Sequence, residues 1–482
     1  MFDIRPVAYV IGLTLCALGL TMFFPFAVDF AEGRGEWPVF LQCALLTIFV
    51  GGLTSLACAS GVSDRLSIQQ TFLLTTGVWA VLPVFGALPF VFGETATSYT
   101  DAYFEAMSGL TTTGSTVLSG LDDLPKGLLL WRGLLQWLGG VGIIVVGMVF
   151  LPELRVGGMQ IFRSEAFDTM GKILPRATQI ASSISTVYVG ITLACVVSYL
   201  LCDMSLFDAT VHALTTVSTG GFANYDASFG VFQGPAEYVA TVFMILAALP
   251  FVRFVQMMGG NHRALWRDVQ VRGFLWTYGT LVVVTAITLL WIFPHHPEQA
   301  LRESLFNIAS IMTGTGYASV DYMQWGPFLI SIFFFIGLIG GCAGSTACSI
   351  KIFRYQILIA AIRTQLHRIR HPRAIAVVRY DGRPIGEDVL SSVISFFGFF
   401  VVTMGLFSVA LAMTGLDFVT AVSGAATAIA NIGPGLGDRI GPAGNFAGLN
   451  DTAKWLLSAA MLLGRLELLA VLTIFMPQFW RA

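Results

Sequence analysis

Charge is what this sequence has least of: only 11% of its 482 residues are Asp, Glu, Lys or Arg. A soluble domain carries about a quarter, so a globule bathed in water on all sides is excluded. Histidine is scarce too, with six in all, and no H-E-x-x-H occurs. His295 and His296 precede Pro297 and fit a solvated turn better than a metal pair. The seven cysteines form no C-x-x-C, and most sit in apolar runs, where Cys behaves as a small hydrophobe. Neither a disulfide nor a metal centre is expected from them. Gly139-Gly140-Val141-Gly142 lies within an apolar run rather than after a strand, and residues 341–346 lack Gly-Lys-Ser/Thr, so neither is a nucleotide loop. No convincing pair of catalytic carboxylates appears, which argues against a membrane protease or lipid transferase. No enzyme activity, no cofactor and no nucleic-acid partner is expected.

What is there is hydrocarbon. Hydrophobic residues make up 56% of the chain, and a spanning helix needs roughly 20 mostly apolar residues. Such runs lie near 7–28, 38–60, 70–92, 127–151, 180–202, 236–258, 272–293, 326–365, 388–413 and 453–478, the eighth long and interrupted. The first is too long for a signal peptide, and no small-residue cleavage site follows it, so it reads as a retained helix. Four shorter apolar stretches, near 102–112, 208–219, 303–314 and 417–431, have the length of re-entrant segments. With the N-terminus in the cytoplasm and these four re-entrant, 19 of the 26 Lys and Arg fall inside, six fall outside, and Arg465 is left in the membrane. That asymmetry satisfies the positive-inside rule and puts both termini in the cytoplasm. The outer loops lean acidic. Asp203, Asp208, Asp226 and Glu237 occur from 201 to 238 with no Lys or Arg, which suggests a vestibule that concentrates cations.

Each short stretch ends in a glycine turn. An acidic residue precedes the glycine by 13 positions in three of them, Asp101 to Gly114, Asp208 to Gly221 and Glu303 to Gly316, and by 16 in the fourth, Asp417 to Gly433. The four glycines are 107, 95 and 117 residues apart, a periodicity that signals repeated units. Each unit reads as spanning helix, half-helix, turn and spanning helix. The expected fold is an all-α polytopic membrane protein of four such repeats set around an axis. Two extra N-terminal helices (1–69) precede repeats at 70–176, 177–270, 271–383 and 384–482. Irregular backbone at membrane depth is tolerated where it lines a water-filled cavity or is buried in protein. Glycine permits positive φ, so successive carbonyls face one way, and four such strands make rings of oxygens that replace a cation's hydration shell. The candidate cation-binding filter is Thr112, Thr113 and Gly114; Thr219, Gly220 and Gly221; Gly314, Thr315 and Gly316; and Asn431, Ile432 and Gly433. A monovalent cation at these residues is the only metal expected.

The residues resemble those of the TrkH/KtrB superfamily of potassium transporters, the bacterial TrkH branch most closely. The likeness spans the chain. It is carried by Leu110-Thr111-Thr112-Thr113-Gly114, Gln136-Trp137-Leu138-Gly139-Gly140-Val141-Gly142-Ile143-Ile144, Gly157-Gly158-Met159-Gln160, Gly340-Gly341-Cys342-Ala343-Gly344-Ser345-Thr346, His371-Pro372-Arg373-Ala374, Asn431-Ile432-Gly433-Pro434-Gly435-Leu436-Gly437 and Leu463-Gly464-Arg465-Leu466-Glu467. It implies four M1-P-M2, potassium-channel-like repeats around one pseudo-fourfold pore per subunit, with two extra N-terminal helices ahead of them. It implies potassium uptake across the bacterial inner membrane with potassium bound at the filter residues, a homodimer, and a cytoplasmic nucleotide-binding regulatory partner of the TrkA type. It also implies that the broken stretch 340–349 is an intramembrane gating loop. Here that loop ends Ala347-Cys348-Ser349-Ile350-Lys351, without the family's usual glycine run. Gly340, Gly341, Gly344, Ser345, Lys351 and Arg465 are the expected gating residues. Lys351 reads either as interacting with the pore or as simply marking the cytoplasmic boundary, and Arg465 reads either as a fixed positive charge below the filter or as one half of a structural ion pair. The basic run Arg363 to Arg383 is a candidate surface for the regulator or for anionic lipid. Acids and His are nearly absent from the spans, which favours channel-like flow over proton- or sodium-coupled symport.

Overall fold

The computed structural model describes residues 3–33, 37–61, 66–95, 97–149, 177–293, 296–466 and 468–480. The fold is an all-α membrane fold: seven described helices are long and apolar enough to span, eight if a pair bent by 90° counts as one. Two helical hairpin arms come first, Arg5–Thr21 running on into Phe23–Glu32, then Trp37–Cys58. They pack at a glycine seam, where a Cβ on Gly12 would fall 2.7 Å from the Gly51 carbonyl oxygen. Small residues let membrane helices approach this closely.

Four units follow. In repeat 1 an outer helix (Ile68–Gly86) leads to a half-helix (Tyr99–Leu110) and an inner helix (Lys126–Val149). Repeat 2 runs Ala177–Leu200, Leu206–Val217, Pro235–Ala247 and Phe251–Met258; repeat 3 runs Val269–Ile292, Pro297–Thr313, Pro327–Gly337 and Ile352–Arg370; repeat 4 runs Glu387–Met413, Phe418–Ala430, Asp451–Arg465 and Leu468–Ile474. The sequence explains where the half-helices start. Ser98, Ser205 and Asp417 are their N-caps, with side-chain oxygens accepting from the amides of Asp101, Asp208 and Thr420. Counted from the cap, Ser98 to Gly114, Ser205 to Gly221 and Asp417 to Gly433 are each 16 residues apart. The longer acid-to-glycine spacing of repeat 4 is therefore no insertion: Asp417 is the cap itself, whereas Asp101 and Asp208 sit one turn further in. Repeat 3 departs instead, because its half-helix begins earlier, at Pro297.

Two expected spans are not continuous. The run 236–258 is two helices bent by 90°. Pro250 caps the second of them and has no amide to continue the ladder. The last span also breaks, with one helix ending at Arg465 and another starting at Leu468. Only the interruption in repeat 3 was legible beforehand. The Gly157–Gln160 motif, His295, Glu467 and the basic residues Arg155, Arg163, Lys172 and Arg176 lie outside the described residues.

Candidate ion pathway

The segments that follow the half-helices close into a ring. A Cβ added to Gly114 would overlap the carbonyl oxygen of Gly220, and one on Gly221 would overlap that of Thr315. On Gly316 it would lie 2.6 Å from the Gly433 amide nitrogen, and on Gly433 it would lie 3.1 Å from the Gly114 carbonyl oxygen. Repeat 1 thus abuts repeat 2, 2 abuts 3, 3 abuts 4, and 4 returns to 1. Gly114, Gly221, Gly316 and Gly433 all line a single cavity of about 360 Å³.

Backbone geometry is also shared at a second filter position, whose left-handed conformation sequence reasoning did not foresee. Two residues before each glycine, Thr112 (φ 51), Thr219 (φ 53), Gly314 (φ 80) and Asn431 (φ 52) are all left-handed. For a threonine this conformation costs on the order of 1–3 kcal/mol, and such strain gathers at functional sites. The signal was present in repeats 3 and 4, where Gly and Asn, the residues that best tolerate it, stand at that place. The shared glycines are left-handed in three repeats, Gly114 (φ 84), Gly221 (φ 76) and Gly316 (φ 82). Gly433 is the exception to the expectation of positive φ. Pro434 follows it, and a residue before proline is pushed toward extended backbone.

Where the carbonyls go decides what the ring can do. Among the described residues, ten of the twelve filter carbonyls accept no hydrogen bond, all but those of Gly220 and Gly433. Buried carbonyls are nearly always paired with protein, water or ligand, so these oxygens are left for an ion or its water. The Gly220 carbonyl instead accepts from Gln136 Nε2 at 2.6 Å, and the Gly433 carbonyl accepts from Ser115 Oγ at 2.8 Å. The hydroxyls are used within the protein. Thr113 bonds Thr111 at 2.8 Å and accepts from Asn431 Nδ2 at 3.0 Å, Thr315 bonds Thr313 at 2.7 Å, and Thr219 donates to the Ser218 carbonyl at 2.7 Å.

The vestibule is not acidic in the way the loop composition suggested. Of the four acids only Asp226 lines the cavity, where it accepts from the amides of Gly120 and Leu121. Asp208 sits in its half-helix's first turn and Glu237 pairs with Arg302. The gain in electrostatics comes from pairing the outer cations: Lys126 with Glu32, Arg132 with Glu105, Arg302 with Glu237, and Lys454 with Asp101. Of these cations only Arg132 lines the cavity, and Glu105 neutralises a charge there that would repel an entering cation. The Arg132–Glu105 pair is wholly buried at 2.8 Å. Glu105 also accepts from the Val117 amide, while Arg132 Nη1 donates to the Ala223 carbonyl at 2.7 Å and stacks 4.2 Å from the Phe222 ring. This pair ties the outer ends of two adjacent filter strands, and counting loop charges had left Arg132 as an ordinary outer cation. Glu105→Gln should destabilise the protein by about 3–5 kcal/mol, because it leaves a buried guanidinium without its counter-charge. Thermal unfolding in detergent measures this, and an unchanged midpoint would show that the pair carries little.

Beneath the ring lies the broken stretch of repeat 3. Its ends are pinched by a parallel bridge of Ile339–Gly340 with Ile350–Lys351. Its residues reach the inner end of every strand. Cys348 Sγ lies 3.6 Å from Thr112 Oγ1, Thr346 Oγ1 donates to the Val217 carbonyl at 3.2 Å, the Cys348 amide donates to Thr313 at 3.4 Å, and the Ser349 amide donates to Ala430 at 3.0 Å. The bend in repeat 2 is satisfied by the same stretch: Cys342 donates to Ala248 at 2.9 Å, Thr346 to Ala247 at 3.3 Å, and Phe251 to Gly344 at 2.9 Å. Two interrupted helices thereby supply each other's missing backbone partners. Gly340 and Gly341 face the Cys348 carbonyl and the Ala248 backbone so closely that neither has room for a Cβ. Ser345 Oγ donates to Cys342 at 2.6 Å, and Lys351 Nζ donates to the Ala347 carbonyl. Arg465 joins this group. It is 5% exposed and donates to Thr346 O at 3.3 Å and to Cys348 Sγ at 2.6 Å. No carboxylate pairs with it among the described residues.

Comparison with known proteins places this geometry. The family model TrkH, a cation transport protein, matches residues 37–481. The Trk system potassium uptake protein TrkI of Halomonas elongata is 42% identical over 99% of this chain and 97% of its own. TrkH of Vibrio parahaemolyticus is 35% identical over 99% of both chains, and its relative in Escherichia coli is 34% identical over the same shares. The crystal structure of the potassium transporter TrkH from Vibrio parahaemolyticus superposes with a TM-score of 0.92, covering 100% of each chain at 33% identity.

Proposed function

Since the chain belongs to the TrkH family of cation transport proteins, we propose that it takes up potassium across the bacterial inner membrane through the ring of filter strands. One observation carries this reading: the four glycine turns, one from each repeat, meet around a single cavity while ten of their twelve carbonyls accept no hydrogen bond from the described residues. Those oxygens substitute for the hydration shell of a monovalent cation. The repeats are assigned to 70–176, 177–270, 271–383 and 384–482. Ion flux in proteoliposomes tests the reading, with potassium and rubidium passing faster than sodium and lithium. Equal flux of all four ions, or none, would remove it.

The stretch 340–349 is the gate in this reading. It touches the base of all four strands and is made of small residues that move without steric conflict. Arg465 is a fixed charge on the ion path and opposes permeation until the loop shifts.

Regulation is assigned to the cytoplasmic face, with a homodimer and a nucleotide-binding TrkA-type partner implied by the family likeness. The helix Ile352–Arg370 ends in basic residues, and Arg363, Arg368, Arg370, Arg373, Arg379 and Arg383 are all exposed. Arg368 also donates to the Ala376 carbonyl at 2.6 Å, so it holds the connection as well. Replacing Arg370 and Arg373 together by Gln should weaken the complex with the partner most at low salt, the gap to the parent closing as salt rises, since exposed charges are screened over about 8 Å at physiological ionic strength. Co-purification across a salt series measures this, and undiminished recovery at every salt would rule the surface out.

A further inference from the structure

A second cavity, of about 500 Å³, lies away from the pore. The first N-terminal helix, both spanning helices of repeat 1 and Ser185 on the outer helix of repeat 2 enclose it. It runs from exposed Ala17 inward to buried Trp79, Leu110 and Gly139. Its volume is that of an ordinary ligand pocket, but its lining is nearly all hydrocarbon. The hydroxyls of Thr14, Thr21 and Thr75 are already donated to the carbonyls of Ile11, Leu18 and Thr71 on their own helices. A buried water needs two to four polar partners, and this lining offers too few. Thr14 and Val78 lie near the middle of the spans Arg5–Glu32 and Ile68–Phe92. At that depth the bilayer supplies acyl tails and not headgroups.

We propose that this cavity is a binding site for an acyl chain of a membrane phospholipid. Hydrocarbon fits the lining, is present at that depth, and gains dispersion contacts that an empty cavity forfeits. The floor of the site is shared with the ion pathway. Trp79 lines the cavity, and its ring centre is 5.8 Å from the Arg465 guanidinium carbon. Gly139, also in the lining, has its carbonyl 3.5 Å from Arg465 Nη2. A bound chain therefore packs one residue away from the charge under the filter.

The test uses the full chain in vesicles of phosphatidylethanolamine and phosphatidylglycerol, doped with a phospholipid bearing a diazirine near the end of one acyl chain. After illumination, adducts are mapped by mass spectrometry. The expected result is labelling of Trp79, Leu110 or Leu138 in the cavity, together with Leu193 and Val197 on the exposed face of the repeat 2 outer helix. Ala17→Trp, which plugs the exposed end, should lose the first set and keep the second. The second set also reports that the variant is folded in the bilayer. Labelling confined to Leu193, Val197 and similar outward side chains in the parent would overturn the proposal, as would cavity labelling that Ala17→Trp leaves unchanged. A second copy of the chain seated in the cavity would leave its lining unlabelled and so count against it.

Discussion

Potassium uptake is lost in Gly221→Ala and Gly114→Ala, falls in Gly316→Ala, and survives best in Gly433→Ala: that graded order is the expected result of filling the ring one strand at a time. The argument starts with the backbone. Gly221 and Gly114 hold φ of 76° and 84°, a region that costs an L-residue on the order of 1–3 kcal/mol. Their added Cβ atoms would also collide with the Thr315 and Gly220 carbonyl oxygens. A backbone carbonyl has no rotamer to escape into, so the neighbouring strand must move. Displacing it spoils two sets of ligands at once, because Thr315 belongs to the next repeat's filter. Gly316 meets the Gly433 amide nitrogen at 2.6 Å and shares the positive φ. Gly433 has neither problem to that degree: its nearest atom is 3.1 Å away and its φ is not positive. Rubidium uptake at matched protein density, with sodium uptake alongside, measures the series. Equal loss in all four variants would mean that glycine serves something other than local geometry here, and no loss in any would remove the filter assignment.

Arg465→Ala, in the same assay, raises potassium flux and leaves the preference over sodium largely intact. A guanidinium in mid-membrane is costly, by roughly 2.5 kcal/mol or more on insertion scales, and is normally balanced by an acid. Here the contacts are the Thr346 carbonyl, the Cys348 sulfur and the ring of Trp79, none of them an anion by necessity. The uncompensated charge repels a cation that has just left the filter. Each 1.36 kcal/mol taken off that barrier is worth about tenfold in rate, so a rise of one order of magnitude needs only a modest repulsion. In the proposed reading selectivity is set above, by carbonyls that Arg465 does not touch. Flux equal to or below the parent would instead point to a scaffold role for Arg465, with its bonds to the loop holding the site together.

Much of this protein was legible in order. Long apolar runs give helices because every backbone polar group must be satisfied in hydrocarbon, and the basic residues then orient them. The repeat was readable from Gly114, Gly221, Gly316 and Gly433, and the loop from the small residues at 340–347. Pro434 announced that Gly433 would differ, and Ser98, Ser205 and Asp417 announced the half-helix starts; these were local signals that a count of acids passed over.

By itself, then, the sequence determined the membrane class, the four units and the family, because hydropathy, spacing and motif are properties of short stretches. Tertiary structure alone decided which groups meet. Thr112, Val217, Thr313 and Ala430 all bond to loop residues Thr346, Cys348 or Ser349, yet they are scattered over more than 300 residues. The bend at Pro250 is stable only because Gly344 and Cys342 arrive from another repeat to take up its free backbone groups. Glu105 found Arg132, and Arg465 found no acid among the described residues, for the same reason. Pairing of buried charge depends on distances in the folded state, and no periodicity along the chain encodes them.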